Sequence, residues 1–506
     1  MKGRIEKDGR DNKKEEKAMP CTTVLVGAKA SHDGSTMIAR TDDGHYNVKK
    51  LIVVQPKDQP KRYKSVISRA EIPLPENPMR YTACPNVDRM REGIWAATGI
   101  NEVNVGMTAT ETITTNARVL AADPPVVYRK AKGRSEKAVP GGIGEEDFVV
   151  LILPYIHSAR EGVLRLAELL ERYGTYESNG IAFNDEKEVW WMETIGGHHW
   201  IARKVPDDRV VIAPNQFAMD EFDLQDAFGE KKENLCSADL REFIAENRLD
   251  LNQDGKFNPR AVFGSRRDMD HIYNTPRAWF MGRYLAPKTW RWDGPEADFT
   301  PESDDIPWSI RPERKVTAED VKYLLSSHYQ GTPYNPYTAQ NTGVRGKYRS
   351  IGINRTGVTS ICQIRPYAPE KIRGVEWICF GSTTFSAMLP VYTNVPKMPA
   401  YLSRVTMNAS TEDFYWASRM IGALADPHFS AAVQQIDRYQ EAVAFRGRQL
   451  ILEYDRKIAE TGDLRLAEEA NEKLSAMAKE ETGKALNNVL QTASEKMKNG
   501  YSLADN

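Results

Sequence analysis

The alternation of apolar and polar residues near the start of the chain predicts a β-hairpin. Residues 22–26 form a β-branched apolar run, which is typical of a buried strand. A turn containing Asp and Gly follows, and residues 36–39 predict a second strand that pairs back on the first. This hairpin would bring Arg40 and the two aspartates behind it close to Cys21, which directly precedes the first strand.

Further short apolar runs continue the strand pattern through the middle of the chain. Residues 95–110 contain two strand-like runs around a turn at 99–102, which indicates a second hairpin. Four more runs predict successive strands, at residues 181–183, 189–193, 200–203 and 210–213. An antiparallel sheet with helices on its outside is the simplest packing for such elements.

Helical spacing appears before Gly174 and again in the C-terminal part. A core-covering helix is predicted to end at Gly174, with an apolar face formed by Leu164, Ala167, Leu170 and Tyr173. Residues 117–144 are rich in charge, Pro and Gly and predict a mobile loop near the mouth of a site. After residue 401, spacings of three and four predict amphipathic helices, with apolar positions at Ile436, Tyr439, Val443, Leu450, Tyr454 and Ile458.

The composition argues against nucleic-acid and membrane partners. Of 506 residues, 69 are Lys or Arg and 70 are Asp or Glu, so the net charge of −1 favours neither partner. No apolar run approaches about 18 residues, so no transmembrane helix is expected. The five cysteines are widely spaced without a CxxC pair, which favours buried thiols in a reducing, cytoplasmic compartment over a zinc site. The expected partner is a small molecule, and a homo-oligomer built through the C-terminal helices stays open.

Residues 1–20 are interpreted as a leader that is removed. They are dominated by charge and lack the apolar segment of a secretory signal, which predicts a disordered segment. Met19 is an alternative initiator, and in that case only Met19 and Pro20 need to be removed. In both cases a cut between Pro20 and Cys21 makes the cysteine the first residue.

An N-terminal cysteine combines a nucleophile and its base in one residue. A thiol titrates near a pKa of about 8.5 and an α-amino group near about 7.7 to 8.0, so the amine can take the thiol proton at neutral pH. Arg40 would favour the thiolate electrostatically. Asp43 could hold the amino group through a charge-assisted hydrogen bond.

The segment CTTVLVGAKASHDGSTMIARTDD, which starts at Cys21, resembles the beginning of the dipeptidases of peptidase family C69. These are N-terminal-nucleophile cysteine hydrolases related to penicillin V acylase and bile salt hydrolase. The resemblance implies autocatalytic removal of the leader and an RxxD motif, which Arg40 and Asp43 match. It also implies an α+β fold, a four-layer αββα sandwich over residues 21–401 followed by a helical extension over 402–506, and no cofactor.

The resemblance points to further site residues. Asn215 follows the apolar strand RVVIAP, where the related acylases carry an oxyanion-binding Asn. Arg277, in NTPR, is similar to the arginine of an SxxR segment that lies beside the nucleophile in those enzymes. In the pattern NExxxGMTATE this chain offers Thr110 or Glu111 where bile salt hydrolases place an Asn. Because a Glu supplies no amide donor, only a backbone N–H is assigned to the oxyanion there.

Metal and nucleotide sites find little support. Residues 250–255 mimic the opening of an EF-hand loop, but Ala261 stands where calcium needs a bidentate Glu, so a polar turn and no metal are expected. His198 and His199 are adjacent, and on a strand they would face opposite sides and could not share a metal. The chain has no P-loop, HExxH or GxSxG motif.

These observations predict a thiol protease that hydrolyses dipeptides through a thioester intermediate. Two alternatives stay open at this point. One is an amidase or acylase that acts on N-acyl amides. The other is a non-enzymic interaction protein of the same fold, whose helical tail would be the binding surface.

Overall fold

A computed structural model describes residues 21–44, 47–133, 136–253 and 255–498. Within this part the chain forms two large antiparallel sheets, helices that cover them and a helical C-terminal region. The expected mixture of α and β structure with antiparallel sheets and C-terminal helices is therefore confirmed. The predicted leader lies outside the described residues, and so does Pro20, which precedes the expected cleavage site.

The strands are short, as the runs of alternating residues predict. In chain order they are β1 (Thr22–Val26), β2 (Thr36–Asp42), β3 (Ile52–Val54), β4 (Arg62–Lys64), β5 (Glu71–Pro73), β6 (Tyr81–Ala83), β7 (Thr98–Ile100), β8 (Gly106–Thr112), β9 (Asn179–Asn184), β10 (Val189–Thr194), β11 (Trp200–Lys204), β12 (Val210–Ala213), β13 (Asn234–Cys236), β14 (Ser309–Ile310), β15 (Val358–Ile364), β16 (Gly374–Phe380) and β17 (Leu389–Tyr392). One sheet has the order β14-β12-β1-β2-β15-β16-β17, and the other has the order β13-β11-β10-β9-β8-β7. The pairs β3-β6 and β4-β5 form two small ribbons.

The helices lie between and after these strands. They are α1 (Arg89–Glu92), α2 (Ala117–Ala122), α3 (Phe148–Ile152), α4 (Ala159–Tyr173), α5 (Leu224–Phe228), α6 (Leu240–Glu246), α7 (Pro259–Phe263), α8 (Asp270–Tyr273), α9 (Thr275–Leu285), α10 (Ala318–Leu325), α11 (Ala400–Ser403), α12 (Phe414–Ala425), α13 (Phe429–Thr461) and α14 (Arg465–Glu495). Short 3₁₀ turns occupy Pro56–Asp58, Leu153–Tyr155, Glu370–Ile372 and Asp426–His428. In the described part of the chain, no helix combines the length and the apolar character needed to cross a membrane.

The predicted hairpin is the centre of the larger sheet. β1 pairs antiparallel with β2, so that Thr23 lies opposite Arg40 and Thr22 lies opposite Thr41. The second strand runs to Asp42 rather than ending at residue 39, which makes Arg40 itself a strand residue. Gly27 ends β1 where a Cβ atom would come within 2.4 Å of the Asp207 carbonyl oxygen, so only glycine fits there.

Alternation along β1 decides which side chains face the space between the sheets. Leu25 packs with Trp191 and Val211 in a buried cluster to which both sheets contribute. Because side chains two residues apart share a face, Thr23 and Cys21 point in the same direction as Leu25. Val24 belongs to a separate cluster on the other face of the sheet, where helices cover it.

The C-terminal helices pack on the larger sheet. Of the apolar positions predicted for them, Leu450 is partly buried, and the others are buried in α13: Ile436, Tyr439, Val443, Tyr454 and Ile458. The side chain of Asn471 on α14 accepts from the Tyr392 N–H at 2.9 Å and donates to the Tyr392 carbonyl at 2.8 Å, which ties the helix to β17. The Arg365 guanidinium on the sheet side pairs with Asp455 of α13 at 2.6 Å.

One local prediction is wrong, and a second is right only in part. The expected loop over residues 117–144 begins with the helix α2, because Asn116 caps it with hydrogen bonds from the Arg118 and Val119 N–H groups. On α4, Leu164 is 47% exposed, and Val163 and Leu166 are buried instead. Ala167 and Leu170 are buried as predicted, so the buried face keeps these two positions and includes Val163 and Leu166 in place of Leu164.

Candidate active site

Cys21 and Arg40 meet in the space between the sheets. Arg40 Nη2 donates to Cys21 Sγ at 3.0 Å, and both side chains are buried. Arg40 is held in place because its Nη1 donates to the Ala109 carbonyl at 2.9 Å and its Nη2 contacts a Glu145 carboxylate oxygen. The β1–β2 pairing places Arg40 opposite Thr23, two residues from Cys21, and so brings the thiol and the guanidinium together.

The electrostatics of Cys21 are a balance between burial and Arg40. Burial raises the pKa of the Cys21 thiol well above its ordinary value, and the Arg40 charge opposes this rise. The carboxylates of Glu145, Glu111 and Asp42 add to the rise in the pKa. Arg40 is therefore the side chain that favours the thiolate.

The same place contains a set of groups that could in principle hold a metal ion. Ligand atoms of Cys21, Asp42 and Glu145 all lie within 4.8 Å of one another. Positive charge is already supplied there, because Arg40 contacts Glu145 and lies 3.8 Å from Asp42, and Lys49 Nζ lies 2.7 Å from Asp42. A metal ion bound by these three groups would have to displace the guanidinium.

Asp43 lies just beyond β2 and is fixed by a second set of donors. It accepts hydrogen bonds from Thr41 Oγ1 at 3.1 Å and from Thr356 Oγ1 at 2.6 Å, and it forms an ion pair with Arg349. Sequence reasoning missed Arg349, which lies in a polar loop without a motif. Asp43 and Arg349 are 306 residues apart in the chain, so no local signal could have joined them.

Arg277 and Asn215 lie at the start of β1. The Arg277 guanidinium donates to the Cys21 carbonyl, to Thr22 Oγ1 at 2.7 Å, to Asn215 Oδ1 at 2.7 Å and to Asn274 Oδ1 at 2.7 Å. Its position follows from α9, which begins at Thr275 and places Arg277 in the first turn. Burial, together with the nearby Arg349 charge, lowers the pKa of Arg277 to about 10, so it is still a cation at neutral pH.

Asn215 has a defined orientation because its neighbours differ in chemistry. Arginine only donates hydrogen bonds, so the oxygen of the Asn215 amide must face Arg277. The nitrogen Nδ2 points the other way and donates to the Thr112 carbonyl at 2.8 Å.

Glu111 and Thr110 lie on β8, which faces the hairpin from the other sheet. Glu111 is fully buried, and its Oε2 accepts a hydrogen bond from Thr23 Oγ1 at 2.8 Å. Burial raises the pKa of Glu111 to about 8. Thr110 belongs to the strand, but its side chain lies outside the part of the protein that the structure describes.

The two histidines are not arranged as the sequence predicts. They lie in the turn before β11 rather than on a strand, and the Nδ1 atoms of His198 and His199 lie 3.4 and 2.8 Å from the carboxylate of Asp123. Burial opposes ionisation of Asp123, but hydrogen bonds from His199 and two backbone N–H groups lower its pKa to about 2.

In the segment that mimics the opening of an EF-hand loop, the Asp250 carboxylate accepts a hydrogen bond from the Asn252 N–H at 2.9 Å, and Asp254 lies outside the described residues.

The candidate residues therefore gather around the first residues of β1, but a large cavity lies elsewhere. A cavity of about 540 Å³ opens between α10 and α13 and is lined by Lys322, Trp377 and Phe429, among others. Cys21 and Arg40 do not line it. We place the candidate active site at Cys21, because that is where a thiol contacts a guanidinium that can favour its ionised form.

Comparison with known proteins identifies the family over nearly the whole chain. The model of the family described as "Peptidase family C69" matches residues 20–442. A protein named dipeptidase from Bifidobacterium longum is 50% identical over 96% of this chain and 100% of its own length. "Probable dipeptidase A" of Streptococcus pyogenes serotype M18 is 50% identical over 96% of this chain and 98% of its own. Dipeptidase A of Lactobacillus helveticus is 42% identical with the same coverage.

Proposed function

Because the chain belongs to peptidase family C69, we propose that it is a dipeptidase whose nucleophile is the Cys21 thiol. The single observation that supports this site is the contact between Arg40 Nη2 and Cys21 Sγ at 3.0 Å. It pairs a buried thiol with the cation that can stabilise its ionised form.

In the proposed mechanism the segment before Cys21 is removed first, which frees the Cys21 amine. This amine takes the thiol proton, and the sulfur attacks the carbonyl carbon of the peptide bond. The C–N bond breaks, the leaving amine receives the proton, and the acyl group stays on the sulfur as a thioester. Water then attacks the thioester carbonyl, the C–S bond breaks and the thiol is restored.

The tetrahedral oxyanion needs donors in fixed positions. We assign this role to the Asn215 amide nitrogen and to a backbone N–H near Thr110. The Arg277 hydrogen bond to Asn215 Oδ1 supports the assignment, because it fixes which end of the amide is the nitrogen. One N–H of Nδ2 donates to the Thr112 carbonyl, and its second N–H is the one assigned to the oxyanion. One such donor stabilises the transition state by roughly 2.7 to 4 kcal/mol.

Asp43 and Arg277 are proposed to position the first residue of the finished enzyme. Arg277 contacts the Cys21 carbonyl and so fixes the backbone on one side of the nucleophile. Asp43, held by Arg349, Thr41 and Thr356, is the proposed acceptor for the Cys21 amine.

We also propose the finer architecture that the family resemblance implies. Residues 21–401 would form a four-layer αββα sandwich of the N-terminal-nucleophile type, and 402–506 a helical extension. Two observations support this assignment. The buried cluster that contains Leu25 and Trp191 lies between the two sheets, and helices pack on the outer face of each sheet. Five unpaired thiols support a reducing, cytoplasmic setting.

The experiment that tests the function compares substrate classes. Free dipeptides, N-acyl amides and longer peptides are offered to the parent enzyme, to Cys21→Ser and to Cys236→Ser as a matched thiol control. We expect hydrolysis of dipeptides by the parent and the Cys236 variant, and none by Cys21→Ser. Faster hydrolysis of N-acyl amides would instead favour an acylase, and activity of Cys21→Ser equal to the parent's would refute the nucleophile.

A further inference from the structure

Glu111 is a buried carboxyl group with an unused hydrogen-bond acceptor. Its side chain is 0% exposed, and its Oε2 accepts from Thr23 Oγ1 at 2.8 Å. The second oxygen, Oε1, is buried and has no hydrogen-bond partner among the described residues. A buried polar atom without a partner carries a considerable desolvation cost, so such an atom at a candidate site points to a ligand.

The carboxyl group lies close to the sulfur of Cys21. The side chains of Cys21 and Thr23 lie on the same face of the sheet, two residues apart along β1. This corresponds to a Cα–Cα spacing of about 6.5 to 7 Å. Because Glu111 is hydrogen-bonded to Thr23, its carboxyl group is offset from the thiol by about this two-residue spacing along β1. The Glu111 charge is also among the charges that act on the pKa of Cys21, after burial, Arg40 and Glu145.

The other carboxylates near Cys21 have cations of their own. Asp42 pairs with Lys49 at 2.7 Å, Glu145 pairs with Arg40, and Asp43 pairs with Arg349. Within the described ranges, Glu111 forms no ion pair with a Lys or Arg side chain. The charges of Arg277 and Arg40 act on Glu111 from beyond ion-pair distance, so Glu111 is the carboxyl group among these four whose Oε1 can still accept from a cation of the substrate.

A dipeptide brings such a cation to this distance. Its α-ammonium nitrogen lies about 2.5 Å from the carbonyl carbon of the scissile bond. A reactive sulfur lies about 3 to 3.5 Å from that carbon, so the ammonium must lie within about 6 Å of Cys21 Sγ. The Glu111 carboxyl group, which is offset from Cys21 by about two residues along β1, can accept a hydrogen bond from an ammonium group at this distance.

We propose that Glu111 binds the α-ammonium group of the first residue of the dipeptide and thereby selects free dipeptides over N-acyl amides. The proposal rests on the proposed function and deepens it, because it names the group that recognises the substrate's amino terminus. N-acyl amides lack this cation, so they would leave the Glu111 carboxyl group buried without its partner.

Titration of Glu111 adds a signature that a purely structural role would lack. Burial raises its pKa to about 8, although the charges of Arg277 and Arg40 and the Thr23 hydrogen bond oppose this rise and the Asp43 charge adds to it. The carboxyl group is therefore mostly protonated at neutral pH before substrate arrives. Binding of an ammonium requires the ionised form and releases this proton. The KM for a dipeptide should therefore fall as the pH rises towards about 8, whereas a substrate without the ammonium should show no such fall.

The test compares an alanyl dipeptide with its propionyl analogue, in which hydrogen replaces the ammonium group. Glu111→Gln is expected to lower kcat/KM for the alanyl dipeptide about 10- to 100-fold, mainly through KM, and to change the propionyl substrate less than about 3-fold. Glu193→Gln is the matched control, since Glu193 is also buried and also has a pKa raised by burial, to about 7. This control should keep the preference of the parent enzyme.

The outcomes separate this inference from the function itself. Equal losses on both substrates would mean that Glu111 acts through the thiol, and this would overturn the ammonium site. Absence of dipeptide hydrolysis by the parent enzyme would instead refute the proposed function. Should Glu111→Gln fail to fold, the parent enzyme decides the matter, because KM profiles with the same pH dependence for both substrates would contradict the proposal.

Discussion

Replacing Arg40 with methionine is expected to raise the pKa of the Cys21 thiol and to slow catalysis strongly. The guanidinium donates to Cys21 Sγ at 3.0 Å in a buried setting, and methionine keeps an unbranched apolar side chain there while it removes the charge. Since a nearby cation favours the thiolate, its loss favours the neutral thiol, and the midpoint of thiolate formation moves to higher pH.

The magnitude follows from Coulomb's law with a protein-like dielectric constant. Two unit charges about 4 Å apart interact by about 4 kcal/mol at an effective dielectric constant of about 20. Arg40 shares its charge with Glu145 and Asp42, so we expect about 2 to 4 kcal/mol of this to act on the thiolate. This range corresponds to a loss of about 30- to 1000-fold in the thiolate fraction and in kcat/KM.

The assay is the pH dependence of Cys21 alkylation, read by intact mass, together with steady-state kinetics on one dipeptide. Breaking a buried ion pair destabilises the fold by about 3 to 5 kcal/mol, so a control must share this cost. Arg365→Met provides it, because Arg365 is a buried arginine paired with Asp455 at 2.6 Å on the helical side of the sheet. An alkylation midpoint that is the same in Arg40→Met, Arg365→Met and the parent would refute the role of Arg40.

Three further predictions concern the surrounding residues. Asn215→Ala should lower kcat about 100- to 1000-fold with little change in KM, because one oxyanion donor is lost; unchanged steady-state kinetics would contradict this. Arg349→Met leaves the buried Asp43 carboxylate without its cation, and the free energy of unfolding in urea should fall by about 3 to 5 kcal/mol. Asn471→Ala leaves the Tyr392 N–H and carbonyl without partners, which should cost about 2 to 4 kcal/mol in the same urea measurement while kcat stays near the parent value.

The hairpin that carries the site could be predicted because its information is local. A β-branched run, a turn and a second apolar run define both strands and their pairing. The end of β2 was missed because Arg40, Thr41 and Asp42 look unlike a buried strand. The charges of Asp42 and Arg40 are tolerated there because Lys49 and Glu145 pair with them, and Glu145 lies 105 residues away from Arg40 in the chain.

The sequence-based predictions failed where contacts with residues distant in the chain decide the local structure. The apolar face of α4 includes Val163 and Leu166 and excludes Leu164, and the spacing of apolar residues alone is compatible with either face. His198 and His199 lie in a turn because Asp123, far away in sequence, accepts hydrogen bonds from both of their N–H groups. Arg349 was missed for the same reason, since its role depends on the distant partner Asp43 and the residue lies in no recognisable motif.

The central claim is that Cys21 becomes the first residue of the active enzyme, and intact mass combined with N-terminal sequencing tests it most directly. We predict that active parent enzyme begins at Cys21, whereas Cys21→Ala keeps the residues before position 21 and hydrolyses no dipeptide. An active enzyme in which the Cys21 nitrogen is still bonded to Pro20 would contradict the account.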